Sequence, residues 1–191
     1  MCAAWAVATI LHGCMPAVSD VRLLQPHMDR WQRDLQLRTE QAFWSPEKKT
    51  DRILAEFPLP GATTGTPMYL LYLQIAAGEP LQELASPPTS PAKGFFIQVR
   101  GDHAGLALVT AGTVRVEKRS LSSEAIRRLR IDLHCEDGTR VTGWLAAQRD
   151  DWQLTYFEKH RRPADVKILT GGVASASPSV QHPSAESRPT P

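Results

Sequence analysis

Apolar and polar residues alternate with a period of two through much of the second half of this chain. Between residues 128 and 136, Leu129, Ile131, Leu133 and Cys135 alternate with Arg130, Asp132 and His134. That pattern predicts a strand with one buried face. Asp137-Gly138 follows, a pair that tolerates the positive φ of a tight hairpin. Residues 139–147 return, with Val141, Gly143 and Leu145 on one face and Thr142 and Trp144 on the other. Asp150-Asp151 reads as another turn, and Trp152, Leu154 and Tyr156 alternate in a third strand over 152–158. Residues 165–169 add a last one. Upstream, 68–76, 94–100, 106–110 and 113–118 read as strands, the last two divided by Ala111-Gly112. The prolines of 77–93 predict a long surface loop, and Ser122 or Ser123 caps a helical turn running to Arg127.

The first third has a different rhythm. Met28, Trp31 and Leu35 recur at three- and four-residue spacing, which predicts a helix over 27–43. Ser45-Pro46-Glu47 has the form of a second helix start, with a capping hydroxyl, a first-turn proline and an early acid. That helix carries Ile53, Leu54 and Phe57 inward and stops before Pro58, and 58–67 is a loop. The expected class is therefore mainly β with N-terminal helices (α+β). Its seven or eight short strands form an antiparallel sandwich or open barrel ending in a β-meander. Strand and long helix do not alternate after Met68, which argues against a doubly wound nucleotide fold.

Residues 3–11 (AAWAVATIL) are almost wholly apolar and end at Leu11-His12-Gly13-Cys14. The run is too short to span a bilayer as a mature helix and fits the core of an export signal. The Leu-His-Gly-Cys ending resembles the lipobox of bacterial lipoproteins. The resemblance covers residues 1–14 only, and His12 departs from its pattern. It implies that 1–13 is a signal peptide, that the Cys14 thiol is lipidated, and that the chain stays anchored in the cell envelope. Met15 after the cysteine, in place of aspartate, points to the outer membrane. The expected organisation is a signal peptide (1–13), a tether (14–26), one globular domain (27–170, helical over 27–57 and β-rich over 68–170) and a tail (171–191). The tail is rich in Ser, Pro and Ala, which predicts disorder.

Charge narrows the options little. The 22 basic and 20 acidic side chains leave +2, which gives no general electrostatic argument for nucleic acid. With Cys2 removed and Cys14 acylated, Cys135 alone remains, so no disulfide framework is expected. Adjacent strand residues point to opposite faces, so His134 and Cys135 do not share a metal, and Cys135 belongs with the core. No metal site and no cofactor are expected. Asp102-His103, in a turn, pairs a carboxylate with a base and invites a nucleophile. Arg127, Arg128, Arg130, Arg161 and Arg162 are candidate anion-binding residues. Trp144, Trp152, Tyr156 and Phe157 offer either a binding platform or core pairs. The leading expectation is a membrane-anchored envelope lipoprotein whose β domain binds or scaffolds without catalysis, with an envelope partner. Two others stand beside it: a cytoplasmic anion- or nucleic-acid-binding module, and an envelope hydrolase using Asp102 and His103.

Overall fold

Ten strands and one short helix make up most of the described chain. The computed structural model describes residues 17–28, 33–58, 69–85, 92–100, 103–118 and 125–161, and their side chains except those of 100, 103, 104 and 161. The strands are β1 (Ser19–Leu24), β2 (Asp34–Thr39), β3 (Ala42–Glu47), β4 (Thr50–Phe57), β5 (Tyr69–Ala76), β6 (Leu81–Ala85), β7 (Lys93–Arg100), β8 (His103–Val116), β9 (Ile126–Cys135) and β10 (Arg140–Arg149). Helix α1 (Asp151–Tyr156) continues as a wider turn over Phe157–Arg161. Seven strands close a barrel in the cyclic order β3-β4-β5-β7-β8-β9-β10. The mainly β class is as expected, but the barrel is closed rather than open. Every pairing is antiparallel except a two-residue parallel contact of β10 with β3, Gln148↔Phe43 and Arg149↔Trp44.

Closure depends on stagger. β8 pairs with β7 through 103–108 and with β9 through 109–116, with an irregularity between Val109 and Ala111. β10 pairs with β9 over 140–148 but meets β3 only at its end. Each offset frees a stretch of strand edge. β6 fills the one on β8, from Leu81↔Arg115 to Ala85↔Ala111, and β1 fills the one on β10, from Asp20↔Trp144 to Leu24↔Arg140. β2 extends the wall beyond β1. Two glycines permit the tight coiling that this wall needs. Gly112 and Gly143 have φ of 137° and 145°, and a Cβ on them would lie 2.2 Å from the Asp132 carbonyl oxygen and 2.3 Å from that of Asp20. No residue with a side chain fits either position.

Inward-facing residues fill the barrel: Trp44, Phe57, Tyr69, Leu71, Leu73, Phe96, Leu129, Ile131 and Leu133 among them, joined by Val21, Leu23 and Leu37 of the flanking strands. Cys135 lies in this core, as its alternation with Arg130, Asp132 and His134 requires. A second apolar cluster lies outside the ring. Leu154 and Phe157 cover Leu54, Leu70, Tyr72, Phe95 and Ile97, with Phe157 stacked 5.9 Å from Tyr72 and 6.4 Å from Phe95. Polar groups fix the same contact. Ser45 donates to Asp151 (2.6 Å), while Arg52 and the Tyr72 hydroxyl both donate to Glu158 (2.7 Å each).

Among the described residues the expected N-terminal helices do not form. Residues 34–57 are three strands, because Leu35, Leu37 and Thr39 follow the strand period and because β4 is covered on both faces, by the barrel core and by α1. Burial on both faces erases the alternation that marks a strand. Ser45-Pro46-Glu47 closes β3. The Trp44 carbonyl accepts from the Asp150 N–H, so Pro46, two residues on, turns its nitrogen toward the same side, where β10 has ended. A two-residue turn at Lys48-Lys49 then leads into β4, with Lys48 at φ 50°. Conversely, 151–156 is a helix and not a strand. Asp150 accepts from the Gln153 N–H (2.9 Å) as its cap. Trp152 and Tyr156 stack at helical spacing, 5.2 Å apart. Residues 19–24, expected in the tether, form β1; the expected loop at 77–93 contains β6; and 106–116, expected as two strands, lies in the single strand β8, whose register shifts between Val109 and Ala111. The expected helical turn at 122–127 gives way to β9 from Ile126, its first residues lying outside the described ones, as do the strand at 165–169 and the tail at 171–191.

Candidate anion-binding groove

The strands that fill the freed edges widen one wall into a six-strand sheet, β6-β8-β9-β10-β1-β2. Its inner face belongs to the core. On its outer face the registers line side chains up in transverse rows. One row reads Leu81, Arg115, Arg130, Trp144, Asp20, Arg38; the next reads Glu83, Thr113, Asp132, Thr142, Arg22, Gln36. A groove of about 670 Å³ runs over these rows, lined by Arg22, Arg115, Arg130, Asp132, Thr142 and Trp144 among others. A smaller depression of about 290 Å³ adjoins it, reaching Pro80, Val116 and Lys118. Leu81, Arg115, Arg130 and Trp144 border both.

The arginines of this face fall into two groups. Arg22 donates two hydrogen bonds to Asp34 (2.8 and 2.5 Å), and Arg140 donates two to Asp132 (2.9 and 2.8 Å). These bonds hold the Asp34 and Asp132 carboxyls below the usual carboxylate range and raise their arginines. Arg38 donates to Asp20 (2.8 Å), as does Gln36. Arg115 and Arg130 form the other group. They are cross-strand neighbours, and neither makes a hydrogen bond or ion pair to a carboxylate among the described residues. Arg130 lies over the Trp144 ring, 5.7 Å from its centroid, and Trp144 stays 45% exposed. Like charges directly opposite in a sheet destabilise it. A pair of this kind beside an exposed indole offers an anion two guanidinium forks and a flat apolar surface.

The structure separates the arginines marked by the sequence. Arg128 and Arg130 face outward from β9. Arg127 has the parity of Leu129 and turns to the barrel mouth, over the buried Trp44 ring (4.0 Å) and against the buried Asp51 carboxylate (3.2 Å). There it closes the core and is remote in role from the groove. The Arg161 side chain, Arg162, Asp102, the His103 side chain and Cys14 lie outside what is described. His134 is exposed, 3.7 Å from Asp132, while burial pushes the Cys135 thiol up to about 12, on the opposite face. Among the described residues no three of His, Cys, Asp and Glu gather to hold a metal ion. Arg115 escaped the sequence reading because its partner comes from register. Trp144 carried the one available signal, an indole on the polar face of an alternating strand.

No protein-family model, curated protein or solved structure matches the chain.

Proposed function

We propose that this chain is an envelope lipoprotein whose closed β-barrel binds an anionic ligand without catalysis. The observation that carries the binding part is the Arg115–Arg130 pair, two cations held face to face, neither hydrogen-bonded to a carboxylate among the described residues, with Trp144 alongside. A bound carboxylate, sulfate or phosphate group relieves that repulsion and gains charge-assisted hydrogen bonds. The envelope part rests on the lipobox-like residues 11–14. β1 starts five residues after Cys14, so the acyl anchor keeps the barrel within about 18 Å of the bilayer at full extension.

Two measurements test the two parts. Titration with sulfate, followed by amide chemical shifts, is expected to move signals of β8, β9 and β10. Arg115→Gln is expected to abolish those shifts. Shifts that survive it, or that spread evenly over the surface, refute the groove. Labelled palmitate is expected on the wild type and not on Cys14→Ser, which is expected to leave the membrane fraction still folded. An unlabelled wild type refutes the anchor and moves the same barrel to a cytoplasmic anion-binding role.

A further inference from the structure

Building on the anion-binding reading, we infer that the groove takes an acidic oligosaccharide, one carboxylated or sulfated sugar ring lying over Arg115 and Arg130 with neighbouring rings on either side. Three features of the groove specify this class. The first is extent. Leu81, Arg115, Arg130 and Trp144 sit on four adjacent strands, and strands lie about 4.8 Å apart, so the row is about 14 Å long before its side chains are counted. The two depressions share this row and together reach from Pro80 and Lys118 to Arg22 and Arg140. That shape suits a chain laid across the strands more than a compact molecule enclosed on all sides.

The second is the apolar surface. Trp144 and Leu81 are exposed, 45% and 49%, and flank the two arginines within the row, which continues past Trp144 to Asp20 and Arg38. A pyranose presents a face of C–H bonds, which packs on an indole or an isobutyl group, while its ring substituents remain free to meet the guanidinium groups.

The third is the distribution of charge, and it decides against a dense polyanion. Asp132 lines the groove between Thr113 and Thr142 in the row beside the arginine pair. Its two oxygens already accept from Arg140, and each retains a lone pair for a hydroxyl. A carboxylate flanked by two threonines hydrogen-bonds a polyol and repels a run of phosphates. Arg22 and Arg140 are paired with Asp34 and Asp132, so the arginines of the groove with no hydrogen-bonded carboxylate among the described residues are Arg115 and Arg130, the latter feeling Asp132 only through space, and this is enough for one acidic group. A nucleic acid or polyphosphate strand requires a run of free cations along its length.

Calorimetric titration of the full chain with four probes tests this: oligogalacturonate, a neutral cello-oligosaccharide of equal length, polyglutamate and polyphosphate. Oligogalacturonate is expected to bind most tightly, by about tenfold over each of the others. Trp144→Ala is expected to weaken oligogalacturonate about tenfold and sulfate much less, and Trp144→Phe to recover most of the loss. Polyglutamate or polyphosphate binding as tightly as oligogalacturonate, or a Trp144→Ala variant with unchanged oligogalacturonate affinity, overturns the sugar assignment while the anion site stands. Equal binding of the neutral sugar overturns the acidic requirement. Loss of all four probes together with sulfate overturns both readings.

Discussion

Removing Arg115 should strengthen the fold while it destroys the site. Arg115 and Arg130 are directly opposed across β8 and β9. Opposed residues have Cβ atoms about 5 Å apart, and the side chains can splay their charges farther. Two unit charges about 8 Å apart in water repel by about 0.5 kcal/mol. Arg115→Gln removes that repulsion, keeps most of the aliphatic stem, and leaves the Arg130–Trp144 contact intact. The expected result is a gain of about 0.5 kcal/mol in urea unfolding at low ionic strength. The gain should vanish near 1 M salt, where the screening length falls to about 3 Å. Sulfate reverses the sign: saturating anion should stabilise the wild type and not the variant. A cycle with Arg130→Gln isolates the pair, and its coupling should be repulsive. A variant less stable than wild type at low salt, or a gain indifferent to salt, refutes the claim that the two charges oppose each other unrelieved.

Two further outcomes test the frame behind the groove. Phe157→Ala should cost about 3–5 kcal/mol, because Phe157 is fully buried between α1 and the stacked Tyr72 and Phe95; a loss below 1 kcal/mol in urea unfolding would mean that α1 is not docked on the barrel. The Cys135 thiol is raised from 9.0 to about 12 by burial, so above pH 9 the unfolded chain loses this proton before the folded one does. Stability should fall from that source between pH 9 and 12, by about 2–3 kcal/mol at pH 11, and Cys135→Ala should remove this component; equal alkaline slopes in the two proteins would contradict the thiol's burial.

The β9–β10 hairpin was legible because one face of each strand is core and the other is solvent, and because Asp137-Gly138 has turn chemistry suited to φ 80° at Gly138. β3 and β4 were not, since α1 covers Phe43 and Leu54 on the side that would otherwise be polar, and since two lysines form their turn. Helix α1 was misread because Trp152, Leu154 and Tyr156 fit a strand alternation, whereas Trp152 with Tyr156 and Leu154 with Phe157 also fit a helix. The Asp150 cap decided between them. At the site, the outward direction of Arg130 followed from alternation, whereas the inward direction of Arg127 did not, because a helical turn was expected to end there and β9 in fact starts one residue earlier, at Ile126. The meeting of Arg115 with Arg130 did not follow either, because it depends on how β8 is aligned against β9, and a bulge near Thr110 sets that alignment.

The stagger of β8 and β10 has a consequence for the breadth of the recognition face. A ring of seven strands with little offset would turn a narrow, convex wall to the solvent on every side. Here each offset strand ends its duty to the ring partway along one edge, and the remainder becomes a ledge that receives another strand. Leu81 arrives on one ledge and Arg22 on the other, and the groove spans both. The side chains of these rows point away from the core that fills the ring, although their backbones pair β8, β9 and β10 within it. Side chains there can therefore change from one sequence to another, and the ligand with them, without reopening the barrel beneath.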